Sequence, residues 1–152
     1  MTMTLANVTG VAIDGRGLLI EGPTGAGKTS LALMLIDRGA VLIGDDGVQI
    51  AAEDGQLVAS PAPETAGLIE IRNVGIVEMP TTSAPVALIL SISPKAARFP
   101  MDTQARELCG LSIPSLPFRT GDAAQAIRAE FCLLTHGLAL SSDPRKTVSS
   151  ER

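Results

Sequence analysis

The chain has 152 residues, of which 45% are hydrophobic but only 2% aromatic, and its formal net charge is −4. This length predicts one domain with one hydrophobic core, and the acidic balance disfavours a nucleic-acid partner. No apolar run is long enough to span a membrane, and the N-terminus has no signal-peptide pattern. Cys109 and Cys132 make neither a disulfide framework nor a metal motif. We therefore expect a reduced, cytoplasmic protein.

The first predicted elements form a hairpin that leads into a glycine-rich loop. Residues 5–13 and 18–21 are apolar enough for two strands, and the turn Asp14-Gly15 between them is a strong hairpin signal. A helix is predicted over residues 30–38, where Gly39 ends it. The loop between strand and helix fits the pattern G-x-x-x-x-G-K-[S/T] at every fixed position; it consists of Gly22, Pro23, Thr24, Gly25, Ala26, Gly27, Lys28 and Thr29.

A loop of this type, a P-loop, has a physical reason to bind phosphate. Its successive backbone N–H groups point inward, and the following helix adds partial positive charge at its N-terminus. We expect Lys28 to be exposed in the free protein and to reach the β- and γ-phosphates of a nucleotide, with the Thr29 hydroxyl on Mg²⁺. The alternative is a glycine-rich turn before an ordinary helix.

The remaining elements include fewer helices than a doubly wound sheet requires. Strands are predicted over residues 40–44, 48–52, 56–59, 67–72, 74–79 and 86–92. The proline-containing residues 94–121 are expected to be irregular apart from one short helix. A helix over residues 122–136 has one apolar face, formed by Ala124, Ile127, Phe131 and Leu134. This order predicts a single-domain α/β fold with a mixed β-sheet and few helices.

Phosphoryl transfer needs a base, a metal and positive charge near the phosphate, and the chain offers candidates for each. Asp45 and Asp46 follow a predicted buried strand, where one Asp would act on an acceptor hydroxyl and the other would serve a metal. The alternative is a solvated turn. Glu70 belongs either to the site or to the wet face of an edge strand. Arg98 is either a phosphate clamp or a surface arginine, and His136 is expected to cap a helix.

These segments resemble the catalytic domain of HPr kinase/phosphorylase. Residues 42–48, LIGDDGV, and residues 68–76, LIEIRNVGI, are similar to family motifs, the second to L-E-I-R-G-x-G-I. The similarity covers about residues 5–110. It implies an HPr kinase-like P-loop catalytic domain over residues 1–137. This is similar to the compact form in alphaproteobacteria, without the N-terminal domain of longer members. The tail over residues 138–152 is expected to be disordered because it is polar from Ser141 onward.

The resemblance also implies an activity, an ATP- and Mg²⁺-dependent serine kinase whose partner is HPr or an HPr-like phosphocarrier. Lys28 would bind phosphate, Asp46 would activate the acceptor serine, and Arg98 would be a catalytic arginine. Residues 70–77 would line the acceptor site, and the protein would form a homo-oligomer such as a hexamer. The metal ligands would be Thr29 and Glu70, with Asp45 in the metal shell.

The chain departs from the family pattern at three places. Asn7 occupies the position of an active-site histidine, and asparagine carries no charge near neutral pH. Ser30 replaces an acidic residue, and residues 113–121 contain no match to the P-G-R-N segment. The departures imply kinase activity with little reverse phosphorylase activity. Two further hypotheses stay open, namely a P-loop kinase for another acceptor and a nucleotide-dependent regulatory module with little catalysis.

Overall fold

The computed structural model describes residues 2–99 and 102–139. Within these ranges the chain forms eleven strands and two helices. The strands are β1 (Thr2–Ala6), β2 (Val8–Ile13), β3 (Arg16–Glu21), β4 (Val41–Gly44), β5 (Gly47–Glu53), β6 (Gln56–Pro61), β7 (Leu68–Ile71), β8 (Gly75–Glu78), β9 (Ala84–Ile92), β10 (Gln104–Leu108) and β11 (Leu111–Phe118). The helices are α1 (Lys28–Asp37) and α2 (Gln125–His136).

A central sheet with the order β10-β11-β9-β3-β2-β4 carries the loop. Strands β11, β9 and β3 run parallel to one another. Strand β2 is antiparallel to both β3 and β4, so β4 runs in the same direction as β3. The carboxyl ends of β3, β4, β9 and β11 therefore lie at one edge of the sheet, where ligands of α/β proteins bind.

A second layer of antiparallel strands, β1-β5-β6, joins the start of β9 through β6. Its apolar side packs on one face of the central sheet in a cluster that includes Val48, Ile50, Leu57, Leu19, Ile43 and Ile89. The prediction of one strand over residues 5–13 is wrong, because Asn7 interrupts it with a φ of 65°. Asparagine tolerates this left-handed conformation, and the chain changes layers there.

Both helices cover the other face of the central sheet. Helix α2 buries its small side chains, Ala126 and Ala129, together with Leu133. The apolar face predicted from periodicity points outward, with Ile127, Phe131 and Leu134 exposed by 41%, 62% and 69%. The reason is geometric, since alanine lets a helix backbone approach a sheet more closely than larger side chains do.

The prediction of an irregular segment over residues 94–121 is also wrong. Strands β10 and β11 form a hairpin whose turn has positive φ at Cys109 and Gly110. The two prolines within β11 are tolerated because the strand changes partners along its length. Pro114 lies where only β10 is paired, and Pro117 lies where only β9 is paired. Each proline thus has an unpaired side for its missing N–H.

The predicted mixed sheet with few helices is confirmed. Strands β7 and β8 form a separate two-stranded ribbon. In the described ranges, no helix is long and apolar enough to cross a membrane. At the predicted boundary of the tail, the Leu138 N–H donates to the Ala87 carbonyl over 2.8 Å, and residues 140–152 lie outside the described residues.

Candidate functional site

The P-loop connects the end of β3 to the start of α1 through glycines in special conformations. Gly27 has a φ of 97°, which only glycine adopts readily. A Cβ atom there would lie 3.3 Å from the Thr120 hydroxyl, and a Cβ at Gly22 would lie 3.0 Å from the Ile92 Cβ. The neighbouring strand ends therefore leave no easy room for a side chain at either glycine, so the loop keeps its backbone close to them.

Lys28 does not have the exposure expected from the sequence. Its side chain is only 8% exposed, and its Nζ donates to the Gly22 carbonyl over 2.5 Å. This contact keeps the ammonium group folded against the P-loop, which is the loop that would bind the phosphate. A bound phosphate would compete with the Gly22 carbonyl for the ammonium protons.

Asp45 follows β4 and its carboxylate is fixed by two hydroxyl groups. The Oδ1 atom accepts from Thr29 Oγ1 at 2.9 Å and from Thr9 Oγ1 at 3.1 Å. Thr9 is almost fully buried in β2; no sequence pattern indicates its role, because it stands among apolar residues. These bonds place the Asp45 carboxylate beside the predicted metal ligand Thr29.

Asp46 differs from its neighbour in both backbone and side chain. Its φ is 61°, and its carbonyl accepts the Asn7 N–H over 3.2 Å. Among the described residues its carboxylate has no hydrogen-bond or ion-pair partner, and the residue is exposed. The strained turn therefore presents a free carboxylate next to a fixed one.

One cleft of about 960 Å³ brings most of the predicted site residues together. The ribbon β7–β8 forms its far wall, because Ile69 is fully buried while Glu70, Arg72 and Val74 are exposed. The predicted site residues on the cleft are Asn7, Thr24, Gly25, Gly27, Lys28, Thr29, Asp45, Asp46 and Glu70. In the described part of the chain, no group of three or more His, Cys, Asp and Glu side chains is arranged to hold a metal by itself.

Arg98 is the predicted catalytic residue that the structure places elsewhere. It lines a second cavity of about 570 Å³ next to α2, which shares no residue with the cleft, and its guanidinium lies 5.5 Å from the Phe99 ring centre. His136, at the end of α2, lines the same second cavity. Arg72, rather than Arg98, lies on the cleft.

Two of the remaining loop residues lie away from the cleft, on the side of β9 and β11. Pro23 and Ala26 line a third cavity of about 580 Å³, together with the segments that follow β9 and β11. The Gly22 carbonyl is the acceptor for Lys28. The P-loop therefore has two accessible sides with different surroundings.

A hydrogen-bonded clasp that no sequence pattern predicted lies at the end of β3, immediately before the loop. The Glu21 carboxylate accepts two hydrogen bonds from Arg106, at 2.9 and 2.5 Å, and one from Ser91 at 2.5 Å. The bonds from Arg106 are the largest cause that lowers the pKa of Glu21, against the opposing effect of burial. This clasp joins β3, β9 and β10 below the P-loop, and no local pattern connects residues so distant in sequence.

Known proteins of one family are similar to this chain. The family model of the HPr Serine kinase C-terminal domain matches residues 3–85, which is more than half of the chain. HPr kinase/phosphorylase of Clostridium tetani is 43% identical over 74 residues, covering 47% of this chain and 24% of the relative. The Lactobacillus acidophilus protein of the same name is 32% identical over 127 residues, or 73% of this chain and 39% of the relative.

A solved structure, the HPr(Ser) kinase/phosphatase from Coxiella burnetii, superposes with a TM-score of 0.76 at 27% identity. The match covers 88% of this chain and 95% of that chain. The chain spans less than half the length of the two curated relatives. The family resemblance predicted from the loop and from residues 42–48 and 68–76 is confirmed. The chain belongs to the family of the HPr Serine kinase C-terminal domain.

Proposed function

We propose that this protein is an ATP-dependent serine kinase that phosphorylates HPr or a similar phosphocarrier protein. The observation that carries the proposal is the pairing of two carboxylates on one phosphate-loop cleft. Asp45 is bonded to the P-loop hydroxyl of Thr29, and Asp46 is free beside it. A kinase needs both, one group to hold the metal and one to receive the acceptor proton.

The donor side of the cleft suits a Mg²⁺-nucleotide. Mg²⁺ is commonly bound by one or two carboxylates together with phosphate oxygens, and Thr29, Asp45 and Glu70, whose side chains carry oxygen ligands, all line this cleft. When bound, the ion would neutralise charge on the phosphate oxygens. The P-loop N–H groups and Lys28 would hold the β- and γ-phosphates in place.

The two aspartates have different roles in the transfer step. The acceptor serine oxygen attacks the γ-phosphorus, its proton passes to the Asp46 carboxylate, and the bond from the γ-phosphorus to the β–γ bridging oxygen breaks to release ADP. Asp45 cannot take this part as readily, because its Oδ1 already accepts two hydroxyl protons. Arg72 lines the same cleft as Lys28 and adds a second positive charge to it, while the catalytic role of Arg98 stays a prediction.

The acceptor side is the ribbon β7–β8. Its turn and second strand expose Val74 by 69% and Ile76 by 71%, next to Glu70 and Arg72 on the cleft wall. Exposed apolar side chains at the rim of a catalytic cleft favour docking of another protein rather than entry of a small polar acceptor. Residues 70–77 therefore form the proposed acceptor site.

The proposed direction of the reaction rests on Asn7. Its side chain is at the cleft and cannot move a proton near neutral pH. We therefore propose efficient phosphorylation and weak dephosphorylation. We also propose, on the family resemblance, a cytoplasmic location and a homo-oligomer, whose size light scattering after gel filtration measures.

The test is incubation with Mg²⁺-ATP and the HPr protein of the same organism, followed by intact mass. One added phosphoryl group on serine is expected with the wild type, and Asp46→Asn should form this product more slowly by about a hundredfold or more. Phosphoserine-HPr with inorganic phosphate tests the reverse reaction, which Asn7→His is expected to raise. Binding of ATP with no transfer to HPr or to any other acceptor would contradict the kinase and favour a regulatory module.

A further inference from the structure

The third cavity is a separate compartment on the other side of the P-loop. Its volume of about 580 Å³ is within the range of about 300–1,000 Å³ typical of small-molecule sites. It shares Thr24 and Gly25 with the phosphate cleft. A molecule whose phosphates lie in the cleft can therefore extend past the loop into this cavity.

The cavity exists because three parallel strands end side by side. The P-loop follows β3, Ser93 and Pro94 follow β9, and Arg119 and Thr120 follow β11. The Thr120 hydroxyl donates to the Ala26 carbonyl over 2.7 Å and so attaches the third segment to the loop. The walls are thus fixed to the same loop that would hold the phosphates.

The chemistry of this cavity differs from that of the cleft. The described residues that line it include no carboxylate, and Pro23, Ile92 and Pro94 give it apolar walls. Its charged group is the exposed guanidinium of Arg119, whose Nη2 donates to the Pro94 carbonyl over 2.8 Å. An arginine side chain held in this way presents a flat cationic face, on which aromatic rings stack.

The position of Arg119 is itself fixed from behind. Its carbonyl accepts from Arg128 Nη2 at 2.7 Å, and the same guanidinium binds Asp122 at 2.7 Å. The Arg128 guanidinium also lies 4.6 Å from the centre of the Phe118 ring. The backbone that carries Arg119 is therefore ordered before any ligand binds, which lowers the entropic cost of binding.

We propose that this cavity is the nucleobase subsite and that Arg119 stacks on the flat face of a purine. The inference rests on the nucleotide-binding part of the proposed function. It also supplies a stacking surface in a cavity that no aromatic side chain of the described residues lines. Because Pro23, Pro94 and Arg119 are exposed, the edge of the base keeps its water. The described lining residues include no carboxylate that could accept the guanine N1–H. The site therefore contacts the face of the base rather than its edge, and it should not distinguish adenine from guanine.

The test is calorimetric titration with ATP, GTP and inorganic tripolyphosphate, in the presence of Mg²⁺ and without an acceptor protein. The wild type is expected to bind ATP and GTP within about tenfold of each other, and both more tightly than tripolyphosphate. Arg119→Ala is expected to weaken ATP about tenfold and to leave tripolyphosphate unchanged. Arg119→Lys keeps the positive charge but loses the planar guanidinium group, so its affinities for ATP and tripolyphosphate should resemble those of Arg119→Ala.

The matched control is Arg38→Ala, which removes another exposed guanidinium, next to the C-terminus of α1. It should bind all three ligands like the wild type. Equal losses of ATP and tripolyphosphate in Arg119→Ala would make Arg119 a phosphate ligand and overturn the proposal. Unchanged ATP affinity, or more than a hundredfold preference between ATP and GTP, would also overturn it. Since no acceptor is present, failure to phosphorylate HPr would leave this result standing.

Discussion

The two sides of the P-loop divide the work of a nucleotide-binding site between opposite kinds of surface. On the side of β4 the cleft contains hydroxyls and the carboxylates of Asp45, Asp46 and Glu70. On the side of β9 and β11 the third cavity contains prolines, an isoleucine and the guanidinium of Arg119. The difference teaches that one loop can separate two kinds of binding group. The carboxylates and hydroxyls that would bind the metal and phosphates lie on one side, and the side chains that would contact the flat base lie on the other.

The sheet explains why the division is so sharp. Strand β2 lies between β3 and β4 and runs against both, which leaves room beside the loop for Thr9 and the Asp pair. On the other side, β3 and β9 are immediate parallel neighbours. Their closely spaced ends leave a smaller cavity, of about 580 Å³ against about 960 Å³ for the cleft, with backbone and apolar walls.

The largest effect is expected from Lys28→Ala. The substitution removes the ammonium group from the loop shared by both sides, so binding of both ATP and tripolyphosphate should weaken by about a hundredfold or more. Calorimetry measures both affinities, and a thermal melt checks the fold because Lys28 is buried against Gly22. If Lys28→Ala weakened ATP binding but left tripolyphosphate binding unchanged, it would behave like Arg119→Ala and the contrast between the two sides would be lost. Unchanged ATP affinity in a folded variant would contradict the P-loop assignment.

The next effect separates the two aspartates within the cleft. Asp46→Asn should keep ATP affinity and lower the rate of transfer by about a hundredfold or more, the size expected for loss of a general base. Asp45→Asn should instead raise the Mg²⁺ concentration needed for activity, because its carboxylate is fixed beside Thr29. Single-turnover rates and Mg²⁺ titrations distinguish them. If Asp45→Asn lost the transfer rate and Asp46→Asn shifted the Mg²⁺ dependence, the two roles would be exchanged. If both variants behaved like the wild type, the two aspartates would belong to a simple turn with no catalytic role.

A smaller effect is expected from Glu70→Gln on the ribbon. An amide cannot replace the charge of a carboxylate in a Mg²⁺ shell, so the Mg²⁺ dependence of activity should shift several-fold to higher concentration. Glu78→Gln, on the partner strand of the same ribbon, is the control and should not shift it. A Glu70→Gln titration that overlays the wild type would assign Glu70 to the solvated face of the ribbon.

The smallest effect concerns the clasp beneath both sides. Because the pKa of Glu21 is lowered in the folded protein, its contribution to stability is present above the ordinary carboxyl value of 4.5 and is lost as pH falls through the folded value. Glu21→Gln should cost about 1 kcal/mol at pH 7, and the difference from wild type should shrink below pH 4.5. Thermal melts across this pH range measure it, with exposed Glu64→Gln as the control. A difference independent of pH would contradict the ion pair.

Much of the site could be predicted from local sequence. The glycine spacing of the loop, the strand before it and the helix after it follow from backbone sterics and short-range periodicity. The Asp pair after β4 was found because buried strands are short and apolar, so polar residues at their ends stand out. The ribbon around Glu70 was predicted as two strands, and β7 and β8 occupy those places.

The tertiary structure decided what depends on partners far along the chain. Periodicity identified the apolar face of α2 but not which side packs, because close approach to the sheet favours Ala126 and Ala129 over Phe131. Prolines hid β11, since their tolerance depends on which side of the strand is paired. The cavity that each arginine lines also depends on strand order: Arg72 lines the cleft, Arg119 lines both the second and the third cavity, and Arg98 lines only the second. The conformation of the P-loop follows from local backbone sterics, which the sequence determines by itself. The residues that surround the loop follow from long-range packing, which only the tertiary structure decides.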